Sequence, residues 1–364
     1  MVRRRRARSR RRRRRADGRL GDHMRAAARA AAAVIGAVLA AAAMTGCAPP
    51  GPASGQPNGT LSAQLKAEVT GEGAVAHAQA LQRIADENGG TRVSPGPGYD
   101  ASVDYVAGVL RDAGFAVSTP TFRMWQHDGG AATVRNVIAQ TRTGNPEHLV
   151  MVGAHLDSVR DGPGINDNAS GVASLLEIAV RLGGSPPVAD AIRFGFWGGE
   201  EEDLYGSTGY VEGLADAERS AIALYVNVDM VASPNGGYFV QGSADGRTSR
   251  SGPPGSADIG RVLADQLAST GVTAELTRFD ESSDYEPFVE AGIPTGGVLA
   301  GDADTKTGEQ ARAWGGRAGE VFDPCYHSAC DRLDNLNRTA LDRFSDAIAG
   351  TLGYFATTDA QLAR

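Results

Sequence analysis

Between residues 116 and 356, short apolar runs alternate with segments of helical periodicity, and this alternation restricts the fold more than any other feature of the chain. Extended runs are read at 116–123, 134–141 (TVRNVIAQ), 148–154 (HLVMVGA), 191–197 (AIRFGFW), 222–230 (IALYVNVDM), 237–241 and 295–300. Helical patterns occupy 74–87 and 100–113, then 170–182, 204–214, 256–270, 284–291 and 338–356; Asn88-Gly89-Gly90 and Gly114 stop the first two. Strands this apolar need cover on both faces, and intervening helices supply it. The expected fold is α/β: a single domain with a central, mostly parallel, mixed β-sheet flanked by helices on both faces. Chemistry in such sheets gathers at the carboxyl ends of the strands.

The first sixty residues follow different rules. Residues 1–22 are dominated by arginine, including the run Arg10 to Arg15. A nucleic-acid-binding arm has this composition, and so does sequence lying upstream of the true start; we read it as the second. Met24 opens a basic start (Arg25, Arg29), an apolar run from Ala30 to Ala43 and a small-residue ending at Cys47, the pattern of an export signal. Met44-Thr45-Gly46-Cys47 resembles a bacterial lipobox, which makes Cys47 the expected lipidation site. At roughly 14 residues, the apolar run falls short of the ~20 that span a bilayer. The expected layout is therefore 1–47 basic extension and lipoprotein signal, 48–62 Pro/Gly-rich linker, and 63–358 the folded domain.

Fourteen of the 36 basic residues lie within 1–47, against two of the 43 acids, which leaves 22 basic and 41 acidic residues in the remainder. An acidic exported body argues against nucleic-acid binding and for attraction of cations. Export also bears on Cys325 and Cys330, since outside the cytoplasm the two can persist as a disulfide.

Three extended runs end in metal-capable residues. MVGAHLDS supplies His155 and Asp157, and GINDN brings Asp167 ten residues later; FGFWGGEEED supplies Glu200 and Glu201, and YVNVDM supplies Asp229. Carboxylates converging from neighbouring strands repel one another unless a cation sits among them. Imidazole and carboxylate without thiolate suit catalytic zinc, and a pair of ions about 3.5–4 Å apart needs one bridging carboxylate. His155, Asp167, Glu201 and Asp229 lack a second imidazole. The body offers His77, His127, His148 and His327, and His327 stands apart because it lies between the two cysteines of DPCYHSACD.

The blocks AHLDS, GINDNASG, WGGEEEDLYGS, NVDM and DPCYHSACD, with NGGTRVSPGPGYDASVDYV and TALDRFSD, resemble the secreted bacterial double-zinc aminopeptidases of the streptomycete leucyl aminopeptidase type, over nearly all of 65–356. The resemblance implies an aminopeptidase-like zinc exopeptidase that acts on peptide or protein N-termini and contains two Zn2+ ions. It makes His155, Asp229 and Asp167 the ligands of one ion and Asp167, Glu201 and His327 those of the other. It also implies Glu200 as general base, Tyr326 as oxyanion donor, Asp157 as the carboxylate orienting His155, and a cis peptide at Asp167-Asn168. Asp342 and Asp346 match an acidic pair that binds calcium in some relatives; a solvated helix face is the competing reading. The chain departs from its relatives at Glu281–Phe288, where they carry an arginine and a Ser-Asp-His, so their preference for a large apolar first residue is not carried over. A monomer is expected, attached to a membrane only through lipid at Cys47. Two other readings use the same fold: a single-zinc glutaminyl cyclase, and a non-catalytic surface binding protein.

Overall fold

A computed structural model of the chain describes residues 60–126, 129–242, 252–358 and 362. All of them belong to the compact unit formed by residues 55–364. The expected export signal and Cys47, most of the expected linker, and His127 lie outside the described residues.

The extended run read at 116–123 is two strands. Proline has no N–H to give to a ladder, and around Pro120 the chain changes sheets. Strand β1 (Ala116–Ser118) joins the main sheet, whereas β2 (Thr121–Trp125) pairs with β3 (Ala131–Arg135) in a separate hairpin. The run at 134–141 divides in the same way at Asn136, between β3 and β4 (Val137–Gln140). The remaining strands are β5 (Asn145–His155), β6 (Asp190–Trp197), β7 (Ile222–Val228), β8 (Phe239–Gln241), β9 (Glu275–Thr277) and β10 (Thr295–Leu299). The main sheet runs β1-β4-β6-β5-β7-β10-β8-β9. Its centre, β6 to β10, is parallel, as is β8 with β9; β1/β4, β4/β6 and β10/β8 are antiparallel. Three-residue β9, with two exposed positions, left no apolar run to read.

The helices are α1 (Thr60–Glu68), α2 (Gly71–Glu87), α3 (Pro97–Asp112), α4 (Ala169–Leu182), the single turn α5 (Glu200–Asp203), α6 (Tyr205–Gly213), α7 (Asp216–Ala221), α8 (Ser256–Ser269), α9 (Glu286–Glu290), α10 (Gly308–Trp314) and α11 (Arg338–Phe355). Helix α1 starts three residues ahead of the boundary expected at 63, and neither α1 nor α10 was anticipated from sequence.

Strand β5 shows how the sheet is sandwiched. Its side chains alternate in direction: Val150, Val152 and Ala154 join the larger core with residues of α2, α3, α4, α8 and α11, whereas Leu149 and Met151 join a second core with Trp197, Tyr225, Val211 of α6 and Phe288 of α9. Both faces are covered, as the strand-helix alternation requires. Phe194 and Phe196, fully buried on β6, each contribute about 1.5–3 kcal/mol by leaving water. His155 lies opposite Trp197, and Gly153 opposite Asn227, so β5, β6 and β7 run out at one edge of the sheet.

Candidate metal centre

That edge gathers the residues read from the strand endings. His155 closes β5, Glu200 and Glu201 open α5 two residues after β6, and Asp229 directly follows β7. Asp167 stands just before α4, whose N-cap is its neighbour Asn168; the Asn168 side chain accepts the Gly171 N–H. Capping therefore falls to Asn168, which frees the Asp167 carboxylate. The Asp167-Asn168 peptide is cis.

The carboxylate of Asp167 lies between two imidazoles. Its Oδ1 is 3.1 Å from His155 Nε2 and its Oδ2 3.1 Å from His327 Nε2. His155 Nε2 is also 3.4 Å from Asp229 Oδ1, and His327 Nε2 is 3.0 Å from Glu201 Oε2. Two groups of three residues thus share one carboxylate. One ligand atom each from His155, Asp167 and Glu201 lies within 4.8 Å of the others, so the two groups adjoin at a spacing able to hold metal.

The polar atoms themselves show that such an ion fits. Glu201 Oε1 and Asp229 Oδ1 are buried and accept no hydrogen bond, a costly state for a carboxylate oxygen unless a cation contacts it. The donors are imidazole and carboxylate without sulfur, a set that suits zinc.

Without metal, the site titrates far from ordinary values. Burial is the largest influence on His155 and lowers it, yet the Asp229 and Glu200 carboxylates hold it well above the usual imidazole value. His327 responds to the same opposition, burial against Asp167 and Glu201, and is pushed up to about 10. Burial raises Asp167, but hydrogen bonds from both histidines outweigh it and hold its carboxyl below the ordinary range. Glu201 rises to about 7 through burial and the neighbouring charge of Asp167. Burial drives Glu200 well above a normal carboxyl; the His155 charge opposes this, and the charges of Asp284, Glu201 and Asp229 add to it. Such perturbed groups mark functional sites.

Asp157 contacts both His155 and the start of α5. The His155 Nδ1 lies 3.3 Å from the Asp157 carbonyl oxygen and 3.8 Å from its carboxylate. The carboxylate instead accepts the Glu200 N–H at 3.2 Å, so it holds the start of α5 as well as the histidine. Tyr326 stacks on His327, with ring centroids 3.8 Å apart. Burial and the nearby Asp167 and Glu201 charges raise its hydroxyl pKa, which keeps it a donor. Cys325 and Cys330 form a disulfide that closes the loop around this pair. His327 has a left-handed backbone, with φ 55°, and its side chain is 40 % exposed.

Three groups near the site escaped the sequence reading. Asp284 is fully buried and neither of its oxygens accepts a hydrogen bond; the nearby Ser207 hydroxyl donates to the Leu204 carbonyl. Burial pushes Asp284 up to about 7. The Arg92 guanidinium, also fully buried, donates to the carbonyls of Leu156, Pro163 and Gly164, pinning the chain that leads from His155 to Asp167. Asp331 hydrogen-bonds the backbone of Asn166 and Asp167. Arg92 and Asp331 stand within NGGTRVSPGPGYDASVDYV and DPCYHSACD, but residue type and spacing gave no sign of bonds to backbone so distant in sequence.

Other candidates are not brought to the site. His77 bonds the Tyr105 hydroxyl at 2.7 Å and His148 pairs with Asp190 at 2.6 Å. Asp342 accepts the N–H of Gly71 at 2.7 Å, at the start of α2; Asp346, four residues on, is half-buried.

The model of peptidase family M28 matches residues 136–352. The chain is 48% identical over 259 residues to the "probable lipoprotein aminopeptidase LpqL" of Mycobacterium tuberculosis, covering 69% of this chain and 52% of that protein. It is 43% identical over 296 residues to leupeptin-inactivating enzyme 1 of Streptomyces exfoliatus, covering 80% and 64%. It thus spans about half to two thirds of the length of these relatives. Among solved structures, a zinc aminopeptidase from Bacillus subtilis superposes with a TM-score of 0.65 at 19% identity, over 81% of this chain and 97% of that one; this likeness bears on the fold.

Proposed function

The chain belongs to peptidase family M28, and on that premise we propose that it is a zinc-dependent aminopeptidase that hydrolyses the first peptide bond of a peptide or protein with a free N-terminus. The observation that carries the proposal is Asp167, with one carboxylate oxygen 3.1 Å from each of two imidazoles. It supports two ions: one held by His155, Asp229 and Asp167, the other by Asp167, Glu201 and His327. Zinc bound there supplies Lewis-acid polarisation of the scissile carbonyl and water that deprotonates near neutral pH.

The remaining roles fall to the protein's own groups. Glu200 takes the proton of the attacking water and returns it to the leaving amine; burial raises its proton affinity above that of an ordinary carboxyl. The Asp157 carboxylate, through the Glu200 N–H, fixes where that base stands. Tyr326 donates its hydroxyl to the oxygen that gains charge in the tetrahedral state. The acidic surroundings of Asp229 favour a free, cationic α-amine, which would restrict attack to the chain end.

The proposal extends to location and assembly. We read the protein as an exported monomer with a lipid on Cys47, ahead of a linker at 48–62 and a catalytic domain over 63–358. The Cys325–Cys330 disulfide supports an oxidising compartment, and one relative is named a lipoprotein aminopeptidase. No helix among the described residues is long and apolar enough to cross a membrane. Calcium at Asp342 and Asp346 completes the proposal; calorimetric titration of the zinc-loaded protein with calcium tests it, and absence of binding removes it.

The decisive experiment compares free and N-acetylated peptides as substrates. Amino acid release from the free peptides alone, abolished by chelation and restored by zinc, is the expected result. Internal cleavage, or turnover that persists without metal, would overturn the proposal. One zinc per chain with cyclisation of N-terminal glutamine would favour the cyclase reading instead.

A further inference from the structure

We propose that Asp331 is a positioning residue that sets the Asp167 carboxylate between the two metal sites and locks it to the loop carrying His327. The inference rests on the two-ion reading above and goes beyond it by assigning a part to a residue that contacts neither ion nor substrate.

Asp331 is 1% exposed, and it occupies the three consecutive N–H groups of the segment that ends at Asp167. Its Oδ1 accepts the Asn166 N–H at 2.8 Å, its Oδ2 accepts the Asp167 N–H at 3.0 Å, and its backbone carbonyl accepts the Ile165 N–H at 3.2 Å. A carboxylate bonded through both oxygens to adjacent N–H groups fixes the peptide planes on either side of Asn166. The direction of the Asp167 side chain follows from those planes.

The same residue ends the segment Asp323 to Asp331, at whose centre His327 stands. Asn335 joins the two ends, donating to Asp331 Oδ1 at 3.2 Å and to Asp323 Oδ1 at 3.0 Å. Asp323 Oδ2 in turn accepts the Asn166 side-chain N–H at 2.7 Å. The disulfide closes the His327 loop on itself, whereas the two aspartates fasten that loop to the segment before α4, Asp331 through the backbone N–H groups of Asn166 and Asp167 and Asp323 through the Asn166 side chain. Two ligands of one proposed ion, Asp167 and His327, are thereby held at a fixed separation by a third group, as supporting hydrogen bonds do in metal centres generally.

Asp331→Asn in the full chain tests the assignment. The amide keeps the shape, but one of its two ends becomes a donor facing an N–H, so one of the two bonds is lost. Competition with a chromophoric chelator should find two zinc ions in the unaltered chain and, in the variant, at least a tenfold weaker affinity at the weaker of the two sites. Combined with His327→Ala, the substitution should add little to the loss from His327→Ala alone. Zinc affinities within twofold of the unaltered chain would overturn the proposal; so would a fall in the chelated protein's melting temperature with zinc affinity unchanged, which would assign Asp331 to folding alone. Should the variant not fold, Asn335→Ala, which leaves both Asp331 bonds to the Asn166 and Asp167 N–H groups in place, should still weaken the same site at least threefold, and unaltered affinity there is the contrary result. Fewer than two zinc ions in the unaltered chain would overturn the two-ion reading itself, a failure distinct from that of Asp331.

Discussion

Glu200 and Glu201 are neighbours in sequence with separate tasks, one proposed to move a proton and the other to hold metal. Glu200→Gln should therefore leave zinc content unchanged while lowering kcat by about 10²–10⁴-fold; full activity in a zinc-loaded variant would remove Glu200 from the base role. These two residues, His155 and Asp229 were legible because each follows an apolar run that had to be a strand, and the ends of adjacent parallel strands meet. Arg92 was not legible: its bonds to Pro163 and Gly164 join residues more than seventy positions apart, and nothing local distinguishes a buried clamp from a surface arginine. Burial lowers its pKa to about 10 against the pull of Asp157, Asp331 and Asp167, which leaves it charged at neutral pH. Arg92→Met should cost about 3–5 kcal/mol of stability, measured by urea unfolding of the chelated protein; a loss below about 1 kcal/mol would mean that the three carbonyls find other donors.

Among the elements, the loop at 325–330 carries the sharpest expectation. A disulfide around four residues restrains little of the unfolded chain, so its effect should be local to Tyr326 and His327. Replacing both cysteines by serine should weaken zinc binding and turnover by more than tenfold while moving the melting temperature by only a few degrees; the reverse pattern would make the bridge a general stabiliser. The strands show where element-level reading stops. Apolar alternation found β5, β6 and β7 because they are buried along most of their length. It merged β1 with β2, since the composition on the two sides of Pro120 is alike and only pairing partners separate them: β4 for the first, β3 for the second. Helix α10 escaped because none of its residues is buried and it presents no apolar stripe.

For the molecule as a whole, a cluster of acids around two histidines makes stability depend on metal and pH together. A group whose folded-state pKa is raised holds its proton more tightly when folded, so the stability it lends is complete below the unfolded pKa and is lost as pH rises through the folded one. Glu201, Asp284 and Asp331 at about 7 and His327 at about 10 all act in this sense. Asp167, shifted downward, gives the opposite dependence only in more acid solution. The chelated protein should therefore lose melting temperature from about pH 5 to pH 9, while the zinc-induced rise in melting temperature grows over the same range, because binding displaces protons. A zinc effect that shrinks with increasing pH would contradict the assignment. The α/β class could be read from the strand-helix alternation and the candidate ligands from strand endings and motifs; the network that holds those candidates could not, because Asp331, Asn335 and Asn166 meet only in the folded chain. The most direct test of the shared carboxylate is anomalous diffraction at the zinc edge from crystals of the zinc-loaded protein. Two peaks on either side of Asp167, one beside His155 and Asp229 and the other beside Glu201 and His327, are the predicted result; a single peak, or two that do not share Asp167, would contradict the account.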